Sequence, residues 1–315
     1  MDGKSLFSAV YDQLNQDEDT SRFMNDKKTY DHIYSAAVEL TRRTNCLTAT
    51  QTITTVAEQS LYDINADYLK LYLRNDDNEF YIKYYDGTNT TFVKFKEYEE
   101  IVEDNNTDSV DIPYYFSIID KQTLTARITG TTTSAGALTN GETTLTDSAA
   151  PFTNVSVGDT VHNTTDSSEG KVIEKTSNSA LVTNLFNGTD NTWGSGDAYI
   201  IIPQGRKQLI LDPASLTSGH TITFYYTVKP APVYSSYRTY RFNQQYQDAL
   251  VMYACYLYKL QDEKANYGAT YYRFLMIWLS LVYHKRINRL TVVIRLILSV
   301  QWGEDKCQNR IKLFF

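Results

Sequence analysis

Chemistry needs side chains that can carry protons, bind metals or attack, and this chain spreads them thinly. Its four histidines, His32, His162, His220 and His284, stand in four different contexts with no cysteine or carboxylate at ligand spacing. A lone imidazole without such a companion is neither a metal site nor an activated base. Cys46, Cys255 and Cys307 are far apart and form no C-x-x-C pair, so they read as reduced thiols of an intracellular product, not as a disulfide framework or zinc site. Neither H-E-x-x-H nor G-x-S-x-G occurs. The stretch GSGDAY, residues 194 to 199, lacks the length and the Gly-Lys ending of a phosphate-cradling loop and reads as a turn. The acid pairs Asp76/Asp77 and Glu99/Glu100 read as solvated charge in turns or on edges, not as a general acid and its base. The expectation is a chain with no catalytic residues, no metal and no cofactor.

What is plentiful is the chemistry of contact. The 315 residues include 26 tyrosines against 13 phenylalanines and 3 tryptophans. A tyrosine ring buries apolar area while its hydroxyl still seeks a partner, which suits half-buried faces and subunit contacts better than dry cores. Tyr253, Tyr256, Tyr267, Tyr271, Tyr272 and Trp278 cluster toward the C-terminus and are the candidate contact residues. Trp193, in NTWGSGDAY, is a candidate sugar-stacking residue, weighed against burial in the core of a small barrel. Charge restricts partners further. Residues 274 to 315 carry seven Lys/Arg and two Asp/Glu, so the remainder carries −12 within a net charge of −7. That body repels phosphate, which disfavours direct DNA binding but allows a wall that DNA slides past without sticking.

These residues need elements to hold them. Leu6, Phe7, Val10 and Leu14 recur at helical spacing, as do Tyr30, Ile33, Ala37 and Leu40, with Asn25 or Asp26 as the N-cap of the second helix. From Cys46 the period becomes two, and about five strand-like runs extend to residue 127, broken at NDDN and DGTN. RKQLILDP and HTITFYYTVKPAP, after residue 205, supply a matching pair that completes the same sheet. Between them, residues 128 to 203 hold eight of the 14 glycines and only one tyrosine, Tyr199, with short strands at close spacing. That composition marks an inserted all-β domain, a low-cost addition because closure entropy grows only logarithmically with loop length. Helical spacing returns with Leu250, Tyr253, Ala254, Leu257 and Leu260 as one stripe, and another helix is expected from about Tyr267. The fold class expected is α+β: a helical bundle from the N- and C-terminal helices, an antiparallel β module, and an inserted small β-barrel or sandwich. The divisions are 1–127 with 204–274 as core, 128–203 as insert, and 275–315 as a C-terminal tail.

The order of two N-terminal helices, TITTVAEQSLYDINADYLKLYLR, FYIKYYDG, IPYYFSIID, LILDP with TITFYYTVKPAP, and YQDALVMYACYLYKL resembles the head-to-tail adaptors of tailed bacteriophages. The tail tubular protein A type of short-tailed phages is the nearest kind. The resemblance covers residues 4–127 and 205–274, about three fifths of the chain, and rests on order and spacing. It implies a virion protein assembled in the host cytoplasm, in a ring of about twelve copies beneath the portal protein. Such a ring extends the channel through which genomic DNA passes without specific binding, and it receives the tail or nozzle protein. Alternative readings are another tail or fibre-associated structural protein, and a carbohydrate- or cell-surface-binding module.

The tail from Leu275 departs from the rest. Its charge-free apolar runs, 274–284, 290–294 and 296–302, are each shorter than the ~20 residues a bilayer span needs, so no membrane partner is expected. Two readings stay open. In the resembled family the C-terminal segment reaches the portal, which makes a docking arm; alternatively, a frameshift begins near Phe274, since the apolar runs can be encoded so that a shifted frame reads polar residues. The nucleotide sequence decides between them.

Overall fold

The computed structural model describes residues 1–14, 26–72, 74, 78–104, 110–121, 126–243, 246–261, 272–273 and 275–277. Asp2 opens α1 (Gly3–Leu14): its carboxylate accepts from the Ser5 amide at 2.8 Å and the Ser5 hydroxyl at 3.0 Å, satisfying donors that a helix start leaves over. Leu6, Phe7, Val10, Tyr11 and Leu14 then bury one face. In α2 (Asp26–Thr44), Tyr30, Ile33, Tyr34, Ala37 and Leu40 are buried, and Arg42 and Arg43 sit in the last turn at the negative end of the helix dipole. The helix stops at Asn45, whose φ of 52° is the left-handed position asparagine tolerates. Of the N-cap candidates, Asn25 lies outside the described residues and Asp26 is the first residue of the helix itself.

Alternation then takes over. β1 (Thr48–Thr54), β2 (Leu61–Asp63), β3 (Tyr68–Leu71), β4 (Tyr81–Tyr85), β5 (Thr90–Phe95) and β6 (Tyr115–Asp120) pair with the much later β13 (Lys207–Asp212) and β14 (Thr221–Val228). The eight strands run in the order β1-β14-β4-β5-β6-β13-β2, with β3 also on β14. Ile82, Tyr84, Val93, Phe116, Leu209, Leu211, Ile222, Phe224 and Tyr226 fill its interior. The two outer strands of that order are tied by a side chain: the Gln51 amide of β1 donates to the Asp63 carbonyl of β2 at 3.1 Å and its oxygen accepts from the Asn65 amide at 2.8 Å.

The second sheet comprises β7 (Ile128–Thr131), β8 (Thr143–Thr146), β9 (Thr160–Asn163), β10 (Ser168–Lys175), β11 (Ala180–Phe186) and β12 (Ala198–Ile202), in the order β7-β12-β9-β10-β11-β8. Leu145, Phe152, Val161, Val172, Leu181, Trp193, Tyr199 and Ile201 form a core of its own. A Cβ at Gly170 would overlap the Asn184 carbonyl, so β10 and β11 approach too closely there for any larger residue.

The expected α+β framework built on a helical bundle is overturned. Fourteen strands in two curled sheets, one near a barrel and one a half-barrel, dominate the described residues, and the helices are few and short. The physical reason is that each sheet curls over its own core and needs no helical layer to cover its inner face. α4 (Gln247–Gln261) instead packs with α1 and α2 around Val233, Tyr234, Tyr240 and Phe242, a third and separate cluster. Nor is the first sheet purely antiparallel. β5 and β6 run parallel, and α3 (Tyr98–Asp104) lies in the crossover that parallel pairing demands. Glu99 and Glu100 therefore sit in the first turn of a helix, favoured by its dipole, and not in a turn or on a strand edge.

The second sheet is fastened to the helical layer. Lys27 of α2 pairs with Glu169 of β10 at 3.2 Å. Arg238 reaches Glu142 and Glu174, each at 2.8 Å, and the Ser235 hydroxyl donates to Glu142 at 2.7 Å. Phe186 of β11 packs between Tyr30 and Tyr234, with ring centroids 5.7 and 6.0 Å away.

Candidate interaction surface

Of the six predicted contact residues, the structure brings three together. Tyr253 and Tyr256 on α4 have ring centroids 5.5 Å apart, and Tyr256 and Tyr272 are 5.0 Å apart. The Arg43 guanidinium of α2 lies 5.8 Å from the Tyr272 ring and donates to the Met276 sulfur at 3.3 Å. Arg43 is held in turn by Glu39 at 2.6 Å. Burial raises the Glu39 carboxyl, but the Arg42 and Arg43 guanidiniums outweigh it and leave the group below its ordinary value. Tyr267, Tyr271 and Trp278 lie outside the described residues, as do the expected helix start at Tyr267 and all but the first three residues of the tail.

The apolar stripe of α4 is rotated from the one expected. Ala249, Leu250, Val251, Ala254, Cys255 and Tyr258 are buried, whereas Tyr253 and Leu257 are only half-buried and Leu260 is 43% exposed. YACYLYKL is apolar nearly all round, so the side facing α1 and α2 is chosen by small Ala254 and Cys255, which allow close helix approach. Burial pushes the Cys255 thiol up to about 12, so it is an inert packing group.

A second surface lies on the outer face of the first sheet. Lys83 is paired across strands with Phe92, and Tyr81 with Lys94, while Thr223 of β14 lies opposite Lys83 on its other side. Tyr81 meets Phe92 edge to face at 5.0 Å, the Lys83 ammonium stands 5.3 Å from the Tyr225 ring, and Lys96 stands 4.9 Å from the Tyr115 ring. Phe92 is 58% exposed. The sequence signal was present but ambiguous: FYIKYY offers aromatic residues to both faces, and only Lys83, Lys94 and Lys96 mark the outer one.

Residues able to do chemistry converge beside β4. The Tyr84 hydroxyl lies 2.7 Å from Ser215 Oγ and 2.8 Å from His220 Nδ1. The tyrosine stands between the histidine and the serine, Ser215 is fully buried, and its hydroxyl reaches the Thr217 carbonyl at 3.1 Å. The arrangement ties β4 to the loop between β13 and β14 and offers no attacking oxygen. Ser168 and Lys171 have S-x-x-K spacing, but three residues along strand β10 they point to opposite faces, and Lys171 donates to Thr160 Oγ1 at 3.0 Å. Among the described residues, no three His, Cys, Asp or Glu side chains converge to hold a metal ion. Trp193 is 1% exposed, with its indole N–H donating to Thr183 Oγ1 at 2.9 Å, so its ring face is packed inside the second sheet and not offered to a sugar. No helix among the described residues is long and apolar enough to cross a membrane.

No known protein family matches the chain, and no curated protein matches its sequence.

Proposed function

We propose that the chain is a virion structural protein, a head-to-tail adaptor that assembles as a ring beneath the portal, extends the DNA channel and receives tail or nozzle components. The observation that carries the reading is the surplus of aromatic surface. α4 buries one face on α1 and α2, leaves Tyr253, Tyr256 and Leu257 half-buried and Leu260 exposed, and gathers half-buried Tyr272 and Arg43 beside them. Tyr and Arg are the residues that protein interfaces enrich, and a cyclic assembly needs two such patches on each copy. Element order supports the reading too: two helices, a sheet interrupted by a fastened β insert, the return of two strands to that sheet, then a helix.

Imaging the purified chain with the portal protein from its own genome tests the proposal. A closed ring of about twelve copies seated on the portal is expected. A trimer indifferent to the portal would instead place the chain among fibre-associated parts.

A further inference from the structure

The exposed apolar residues are not scattered. Of the sixteen large hydrophobic side chains most exposed among the described residues, six fall between residues 85 and 115: Tyr85, Phe92, Tyr98, Val102, Tyr114 and Tyr115. Four of them belong to two surfaces of opposite charge, Phe92 and Tyr115 to one and Tyr98 and Val102 to the other. On the outer face of β4 and β5, Lys83 and Lys94 alternate across strands with Phe92 and Tyr81, and Lys96 continues the row beside Tyr115. On α3, Tyr98 and Val102 are 38% and 56% exposed and flanked by exposed Glu99, Glu100 and Glu103, with Ile101 alone turned inward.

We propose that these surfaces are the two halves of one contact, the lysine-and-aromatic face of β4 and β5 in one copy receiving the acidic α3 of a second copy. Two features select this occupant. The chain before residue 274 carries −12, so a phosphate-bearing partner meets a repulsive body around only three lysines, of which Lys94 pairs with Glu79 at 2.9 Å and Lys83 and Lys96 lie over the Tyr225 and Tyr115 rings. A second copy brings three glutamates and two apolar side chains to the same place, the mix of buried aromatic anchor and charged rim that specific interfaces use. The inference rests on the ring reading and names one of its contacts.

Charge exchange tests it without disturbing a core, because every altered side chain is half-buried or exposed. Lys83→Glu with Lys94→Glu, and separately Glu99→Lys with Glu103→Lys, should each weaken self-association at low salt by about tenfold or more. Equimolar mixing of the two variants, or all four substitutions in one chain, should restore it. Thermal melting of each variant checks folding. Association unchanged in both variants, or weakened without rescue, overturns the contact. So does a parent chain that stays monomeric at every concentration, and so does a labelled single-stranded DNA that binds the parent and is lost with the lysines. Portal binding measured on the same samples separates failures: a ring on the portal without charge rescue removes this contact and leaves the adaptor reading standing.

Discussion

Trp193 and Glu39 illustrate how single residues act through what surrounds them. Trp193 fills the second sheet's core and satisfies Thr183, so Trp193→Ala should cost about 3–5 kcal/mol by cavity formation, read as a lower denaturant midpoint. A surface stacking residue would give almost no change. Glu39 behaves differently because it is charged in the fold. Its carboxyl is held below its ordinary value, so the unfolded chain binds a proton more readily, and the contribution is present above about pH 4.5 and lost as acid titrates the folded group. Glu39→Gln should remove about 0.5–1 kcal/mol at neutral pH and flatten that part of the acid unfolding curve. An unchanged curve would mean that Arg43 is positioned without it. Little at this scale was readable beforehand. NTWGSGD suits a turn or a core equally, and the Tyr84, Ser215 and His220 contact joins positions more than 130 apart in the chain, brought together only by the pairing of β4 with β14.

Among the elements, the point of interest is how firmly the inserted sheet is held. Glu142, with a side chain 10% exposed, takes both Ser235 and Arg238, and Glu174 takes Arg238 again. Glu142→Ala should cost about 1–3 kcal/mol and raise amide exchange along residues 233–242 before the strands of the first sheet are affected. Equal exchange throughout would show that Phe186 with Tyr30 and Tyr234 suffices to dock the sheet. Strands were legible where alternation is clean, as in TITFYYTV, and α1 and α2 where apolar residues recur every three or four. The face of α4 was not, because apolar residues surround it, and Glu99 and Glu100, which read as turn or edge charge, instead favour the start of α3. Helices at both ends of the chain suggested a helical framework, but periodicity reports which residues are buried, not whether a sheet will curl over its own core.

At the scale of the whole molecule, three separate cores leave aromatic side chains half-buried along α4 with Tyr272 and exposed on the lysine-bearing side of β4 and β5. Exposed apolar patches of that kind are the surfaces from which contact sites are built. In the proposed ring, identical neighbours around an axis cover them, and the acidic body lets DNA pass without adhering.

Sedimentation velocity of the purified full chain, alone and with portal, over a range of concentration and salt, puts the ring to its hardest test. One discrete closed species of about twelve copies is expected, forming or sharpening with portal and weakening as salt rises. A single subunit at every concentration, unaltered by portal, would contradict it.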